Sequence, residues 1–106
     1  MTTEYLPEIY LRFRDRFPQV SERVDALGAA ADDGPLEERT RRLVKLGIAV
    51  GAMAEGAVRS STRKALELGV SEAEVLQVAA LTVSTCGLPA AVAAFSWVEE
   101  VLASRS

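Results

Sequence analysis

The sequence predicts an all-α protein, a single helical domain of about six helices that covers residues 1–106. Its apolar residues recur at intervals of three or four, which is helical spacing, and do not alternate with polar residues as they do in half-buried strands. Glycine and proline cluster at only a few places, and these places separate the helical stretches. A chain of 106 residues also has the usual length of one domain.

Prolines mark the starts of the first three predicted helices, because proline fits the first turn of a helix, where no backbone amide is needed. The three predicted helices run from Pro7 to about Phe17, from Pro18 into the stretch GAAADDG, and, after Pro35, from about Glu37 to Met53.

The clearest predicted boundary separates the fourth and fifth helices. Gly69 closes the fourth helix, and Ser71 followed by Glu74 forms a capping box for the fifth, in which the hydroxyl and the carboxylate bind free backbone amides. The later stretches VLQVAALTV and PAAVAAFSWVEEVL are apolar on more than one face, so we expect their helices to pack on two sides. Small side chains allow the last helix a close approach to a neighbour: Ala90, Ala91, Ala93 and Ala94.

Composition narrows the classes of partner. The formal net charge is −3, so the chain has no overall basic field, and we expect no nucleic acid among its partners. No apolar run reaches the roughly 18 residues of a membrane span, so we expect no membrane partner. The start MTTEYLPEIY lacks the basic and apolar regions of a signal peptide, so we expect a cytoplasmic location. The 49% apolar content is high for this length and predicts a homo-oligomer.

The content of cysteine and histidine limits the chemistry further. The sequence has one cysteine, Cys86, and no histidine, so it has no intrachain disulfide, no cysteine-based metal site and no imidazole proton shuttle. We therefore expect neither a metal nor another cofactor.

Three stretches together resemble the superfamily of alkylhydroperoxidase D and carboxymuconolactone decarboxylase. They are PLEERTRRLVKLGIAVGAMAEGAV, TRKALELGVSEAEVLQVA and CGLPAAVAAF, and they extend from about Pro35 to Leu102. The most specific part is the run from Cys86 to Ala91 with Phe95, which is similar to a Cys-Gly-Val-Pro-Ala-Ala stretch of the decarboxylase branch. The resemblance implies a small all-helical protein that assembles as a trimer, a hexamer or a related ring.

The functional residues that the resemblance implies are replaced. Where the peroxidase branch has a Cys-x-x-Cys pair, a histidine and an earlier glutamate, this chain has Ala54, Ala57, Ser61 and Arg42. The glutamate and histidine of the decarboxylase branch would fall on Ala57 and Ser61. Because a methyl group can neither attack nor form a disulfide, the two-cysteine peroxidase mechanism is excluded.

The helix that carries these positions has a face of small or apolar side chains. Its members are spaced three or four apart: Ala54, Ala57, Ser61, Ala65 and Leu68. This face either packs in the core or, as the resemblance implies, lines a pocket in which Ala54 and Ala57 contact the ligand and Ser61 orients it. Without a histidine, nucleophilic catalysis by Ser61 has no recognisable general base.

Glu55 is the carboxylate nearest to the motif and the candidate acid or base. It stands four residues before Arg59, however, and such pairs are usually solvated ion pairs on a helix surface. Both interpretations remain open at this stage.

Arg42 is a permanent cation at the position of the family glutamate, with Lys45 one turn further along. Facing an apolar cavity, it would bind a carboxylate or enolate. The alternative is that the run ERTRR is an exposed basic surface.

Cys86 also allows two interpretations. It precedes the last helix, where backbone amides can activate a thiol, but a single cysteine is more often a small buried hydrophobe. We favour the buried structural role and keep Cys86 as a ligand contact, with a one-cysteine peroxidase as a minor alternative.

Two functions from different classes follow from these residues. The first is a cofactor-free lyase or isomerase for a small acidic or lactone-like metabolite, with Arg42 binding negative charge, Ser61 orienting the ligand and Glu55 moving a proton. The second is a non-catalytic oligomer that binds a small ligand or serves in assembly.

Overall fold

The computed structural model describes residues 7–105, and every regular element within them is a helix. The helical segments are α1 (Glu8–Arg16), α2 (Pro18–Ala31), α3 (Glu38–Gly51), α4 (Glu55–Glu67), α5 (Glu72–Leu81), α6 (Val83–Cys86) and α7 (Leu88–Ser104). Because α6 is a single turn of four residues, six longer helices remain. The predicted all-α fold of about six helices is confirmed.

The chain divides into two compact units, Met1–Pro35 and Leu36–Ser106. The first unit contains α1 and α2, and the second contains α3 to α7. All the site residues named from the sequence lie in the second unit. The assignment of residues 1–106 to a single domain stays a prediction.

The first unit is a pair of helices joined by an ion pair. The Arg14 guanidinium donates two hydrogen bonds to the Asp25 carboxylate, at 3.1 and 2.5 Å, and one to the Tyr10 hydroxyl at 3.1 Å. Asp25 and Tyr10 raise the pKa of Arg14, and Arg14 lowers the pKa of Asp25. Eight large apolar residues of this unit are between 40 and 71% exposed: Ile9, Tyr10, Leu11, Phe13, Phe17, Val20, Val24 and Leu27. The described helices of this unit therefore contain no buried apolar core.

The second unit has a core where α3, α4, α5 and α7 meet. Its fully buried members come from all four helices and include Leu46, Val58, Val75 and Val98. These residues are aliphatic and repeat at helical spacing, so each helix contributes a stripe to the core. Burial of each large aliphatic side chain contributes about 1.5 to 3 kcal/mol to folding.

The ends of α3 and α4 share one backbone arrangement. The Gly69 amide bonds to the Leu66 carbonyl, and the Val70 amide bonds to the Ala65 carbonyl, with Gly69 at a φ of +90°. This pair of bonds is a Schellman motif, which satisfies carbonyls at a helix end. The predicted role of Gly69 in closing the fourth helix is confirmed.

At the end of α3 the same two hydrogen bonds form: the Met53 amide donates to the Val50 carbonyl, and the Ala54 amide donates to the Ala49 carbonyl. Met53 takes the position that Gly69 has after α4, with a φ of +55°. A left-handed residue cannot continue a right-handed helix, so α3 ends at Gly51 and not, as the sequence suggested, at Met53.

The predicted capping box of α5 is confirmed. The Ser71 hydroxyl accepts a bond from the Glu74 amide at 3.1 Å, and the Glu74 carboxylate accepts one from the Ser71 amide at 2.8 Å. Arg39 of α3 reaches the same carboxylate at 2.6 and 2.7 Å. These bonds fix the start of α5 against the start of α3.

The last helix, α7, is apolar on two sides, as predicted. Ala90, Ala91 and Ala94 are buried within the chain, whereas Leu88 and Val92 are 63 and 55% exposed. The buried alanines allow α7 to pack closely against its neighbours in its own unit. Within residues 7–105, no helix combines the length and apolar character needed to span a bilayer.

Candidate functional site

The candidate site residues lie mainly on a helical hairpin formed by α3 and α4. The two helices are consecutive, are joined by Ala52, Met53 and Ala54, and pack against each other. In such a hairpin the start of one helix lies beside the end of the other. The first turns of α3 therefore face the last turns of α4.

Arg42 belongs to a group of cations on these facing turns. It is partly buried on α3, and its charge lowers the pKa of Lys64 on α4. Burial is the largest cause of that lowered pKa, and Lys45 and Arg63 add to the effect of Arg42, while Glu67 opposes it. Lys45 and Arg63 also take part in other polar interactions. The hairpin thus concentrates positive charge around Arg42.

The predicted face of α4 is divided between the interior and the surface. Ser61 is 7% exposed and Ala65 is fully buried, whereas Ala57 and Leu68 lie at the surface. Ala54 is partly buried and precedes the first turn of α4. Ser61 and Ala65 therefore pack against neighbouring helices, and Ala54 and Ala57 lie at the opposite end of α4 from Lys64.

Thr62 lies in the core beside Ser61. It is fully buried, and its hydroxyl donates a hydrogen bond to the Val58 carbonyl at 2.7 Å, which satisfies the polar group within the helix itself. The Thr62 side chain therefore has a structural role.

Glu55 is exposed in the first turn of α4 and accepts a hydrogen bond from Arg59 at 2.8 Å. The predicted ion pair is confirmed. Arg59 also donates to Glu100 of α7 at 2.6 Å, and both carboxylates raise the pKa of Arg59. This second contact joins two helices and was not visible in the sequence, because Arg59 and Glu100 are 41 residues apart.

Arg42 and Glu55 are separated within one chain. Arg42 lies near Lys64, which is nine residues beyond Glu55 on α4. At a rise of about 1.5 Å per residue, that interval is about 13 Å along the helix. One chain therefore does not bring the candidate anion anchor and the candidate proton carrier together.

Cys86 lies at the end of α6 and is exposed, contrary to the burial expected from the sequence. A Cβ added at Gly51 would lie 3.7 Å from its sulfur, so the thiol is beside the end of α3. Gly87, which follows it, has a φ of +97° and a ψ of 158°, a conformation essentially restricted to glycine. This conformation explains the glycine in Cys-Gly-Leu-Pro and places Cys86 just outside α7.

A protein-family model, the carboxymuconolactone decarboxylase family, matches residues 18–100. The chain belongs to this family. The match begins at Pro18 and so includes α2, whereas the sequence resemblance began near Pro35. A comparison with curated proteins found no match. The all-α fold of the described residues is consistent with this membership.

Proposed function

We propose that this carboxymuconolactone decarboxylase family protein binds a small carboxylate or lactone-like metabolite, with Arg42 as the main anchor. The concentration of cations around Arg42 is the observation that carries the proposal. Burial is the main reason for the lowered pKa of Lys64, and the charges of Arg42, Lys45 and Arg63 lower it further, so these cations lie close enough to repel one another. An anion bound beside Arg42 would relieve that repulsion.

The partly buried position of Arg42 favours binding of a carboxylate. A guanidinium offers two parallel donors to a carboxylate, and partial burial strengthens the pairing because less water competes for it. Ser61, one turn from Lys64 on α4, is proposed as a further ligand contact. Ala54, Ala57 and Cys86 lie at the other end of the hairpin, so as proposed contacts they would come from a second subunit. Only Arg42 among these residues brings a permanent charge.

A cofactor-free lyase or isomerase reaction is the second candidate, and membership of a family named for a decarboxylase favours it. Glu55 would move the proton, and Ser61 would orient the substrate. Glu55 is held by Arg59 and is distant from Arg42 in one chain, so a proton transfer beside the anchor would need a carboxylate from a second subunit. The proposed partner is accordingly a second copy of the chain, in a trimer or larger ring.

Calorimetric titration of the full chain with lactones, keto acids and their neutral analogues tests the binding site. We expect wild type to bind the anions preferentially and Arg42→Gln to lose about 1 to 3 kcal/mol of binding free energy, the range for a hydrogen bond to a charged group. Arg42→Lys should recover only part of the loss, since an ammonium lacks the planar pair of donors.

Arg105→Gln is the matched control, because it removes an exposed arginine at the far end of α7. It should bind as wild type does, and Cys86→Ser should do the same if the thiol makes only a minor contact. Equal affinity of wild type and Arg42→Gln for every anion would overturn the proposed anchor.

A second experiment distinguishes catalysis from binding. It monitors conversion of the same compounds by nuclear magnetic resonance. An enzyme that uses Glu55 should lose turnover in Glu55→Gln while keeping its affinity for the ligand. Binding without turnover in wild type would favour the non-catalytic function.

A further inference from the structure

A groove on the second unit combines an apolar floor with two carboxylates. It is an open surface groove between α5 and α7 with a volume of about 440 Å³, and it is lined by Glu72, Leu76, Glu99, Leu102 and Ala103. Glu72 and Glu99 are exposed, and neither has an ion-pair partner within residues 7–105. The groove therefore offers apolar area together with two carboxylates that form no ion pair among the described residues.

One edge of α1 has the opposite net charge, because it carries two arginines and one aspartate, and it also has exposed apolar side chains. Ile9, Phe13 and Phe17 are 69, 48 and 44% exposed and line a surface cleft with Arg12, Asp15 and Arg16. Arg16 lies over the Phe17 ring, 5.3 Å from its centre. Like the two groove carboxylates, Arg12 and Arg16 have no ion-pair partner among the residues that the structure describes.

We propose that the groove between α5 and α7 binds the arginine-flanked apolar edge of α1 from a second copy of the chain. Arg12 and Arg16 would neutralise Glu72 and Glu99, while the aromatic rings would cover Leu76 and Leu102. Opposite net charge identifies the occupant, because Arg12 and Arg16 outnumber Asp15 on α1 while the groove carries two carboxylates, and both surfaces expose apolar side chains.

This contact joins two different surfaces and is therefore heterologous. Repetition of a heterologous contact closes into a ring when the rotation between copies allows it. This contact depends on the proposed self-association and specifies the two surfaces through which it occurs. It does not involve the anion site around Arg42.

Reversal of the paired charges tests the contact in the full chain. We compare wild type, Glu99→Arg, Arg16→Glu and the double variant by size-exclusion chromatography with light scattering over a dilution series. Each single reversal places like charges together and should raise the concentration of half-dissociation at least tenfold. The double variant restores opposite charges and should recover most of the wild-type mass.

Glu38→Arg and Arg23→Glu are matched controls, since they reverse exposed charges outside both surfaces and should leave the mass unchanged. Circular dichroism verifies that every variant is helical. A wild type that is monomeric at micromolar concentration would overturn both the contact and the proposed self-association. An oligomer that resists both single reversals, or a double variant no better than the singles, would overturn this contact alone.

Discussion

Met53 shows how one residue determines where a helix ends. It adopts a positive φ without being glycine, at the position that Gly69 takes after α4. The left-handed conformation costs a residue with a Cβ roughly 1 to 2 kcal/mol. The two hydrogen bonds of the Schellman motif and the need to begin α4 keep Met53 there.

Substitution of Met53 should release this strain. We expect Met53→Gly to be more stable than Met53→Ala by about 1 kcal/mol in urea unfolding, because both lose the side chain and only alanine keeps the Cβ. Gly69→Ala should be less stable than wild type by about 1 kcal/mol, although no atom would clash with the new methyl group. Equal stability of the glycine and alanine variants at position 53 would show that the backbone is unstrained there.

At the residue scale the sequence predicted contacts between near neighbours. Glu55 and Arg59 are one helical turn apart, so their pairing follows from helix geometry alone. The bond from Arg59 to Glu100 depends on how α4 packs against α7, which no local pattern reveals. The prediction that Cys86 is buried was wrong for a related reason. Whether a side chain is buried depends on how the surrounding helices pack, which the local sequence does not specify.

At the scale of elements, the start of α5 is the best predicted feature of the chain. The spacing of Ser71 and Glu74 specifies a capping box by itself. Arg39 adds a contact from α3 that the spacing does not specify. Arg39 is the main reason why the pKa of Glu74 is lowered to about 2, and the bonds from Ser71 contribute the rest.

The lowered pKa of Glu74 predicts how the stability of the chain depends on pH. A carboxylate with a lower pKa in the folded state stabilises the fold above its ordinary pKa, and the contribution disappears as the pH falls to about 2. We expect Glu74→Gln to be less stable than wild type at pH 7 and the difference to vanish near pH 2. Urea unfolding between these pH values is the measurement.

Arg39→Gln provides a second test of the same element. The titration of the Glu74 carboxyl, observed by nuclear magnetic resonance, should move toward its ordinary pKa in this variant. Glu38→Gln is the control, because it changes a neighbouring acid of α3 that has no ion pair within residues 7–105. A constant stability difference across the pH range would show that Glu74 acts without its charge.

For the whole molecule, the sequence predicted the fold class better than the site. Helical spacing, capping and turns are local signals, and they were sufficient to predict an all-α protein. The resemblance of three sequence stretches indicated its family. The face of α4 was a harder problem, because small residues such as Ala57 and Ala65 fit equally well at a surface and in a core. Only the packing of the other helices shows that Ala65 is buried and Ala57 is not.

The two sides of α7 should respond differently to the same substitution. Ala94 is fully buried, so Ala94→Glu places an unpaired charge in the core and should cost about 3 to 5 kcal/mol of stability or prevent folding. Val92 is 55% exposed, and Val92→Glu should change the stability of the fold by about 0.5 kcal/mol or less. Thermal unfolding, monitored by circular dichroism, compares the stability of the two variants. Similar melting temperatures would contradict the placement of Ala94 on the buried side of α7 and Val92 on its exposed side.

The lack of a buried apolar core in α1 and α2 also matters while the chain is being synthesised. These helices leave the ribosome before α3 to α7, and their large apolar side chains have no interior of their own to enter. They therefore present apolar surface to other nascent chains, and such surface favours aggregation. The Arg14–Asp25 ion pair joins α1 to α2 without any residue of α3 to α7, so its two partners are both present before the core of the second unit is synthesised.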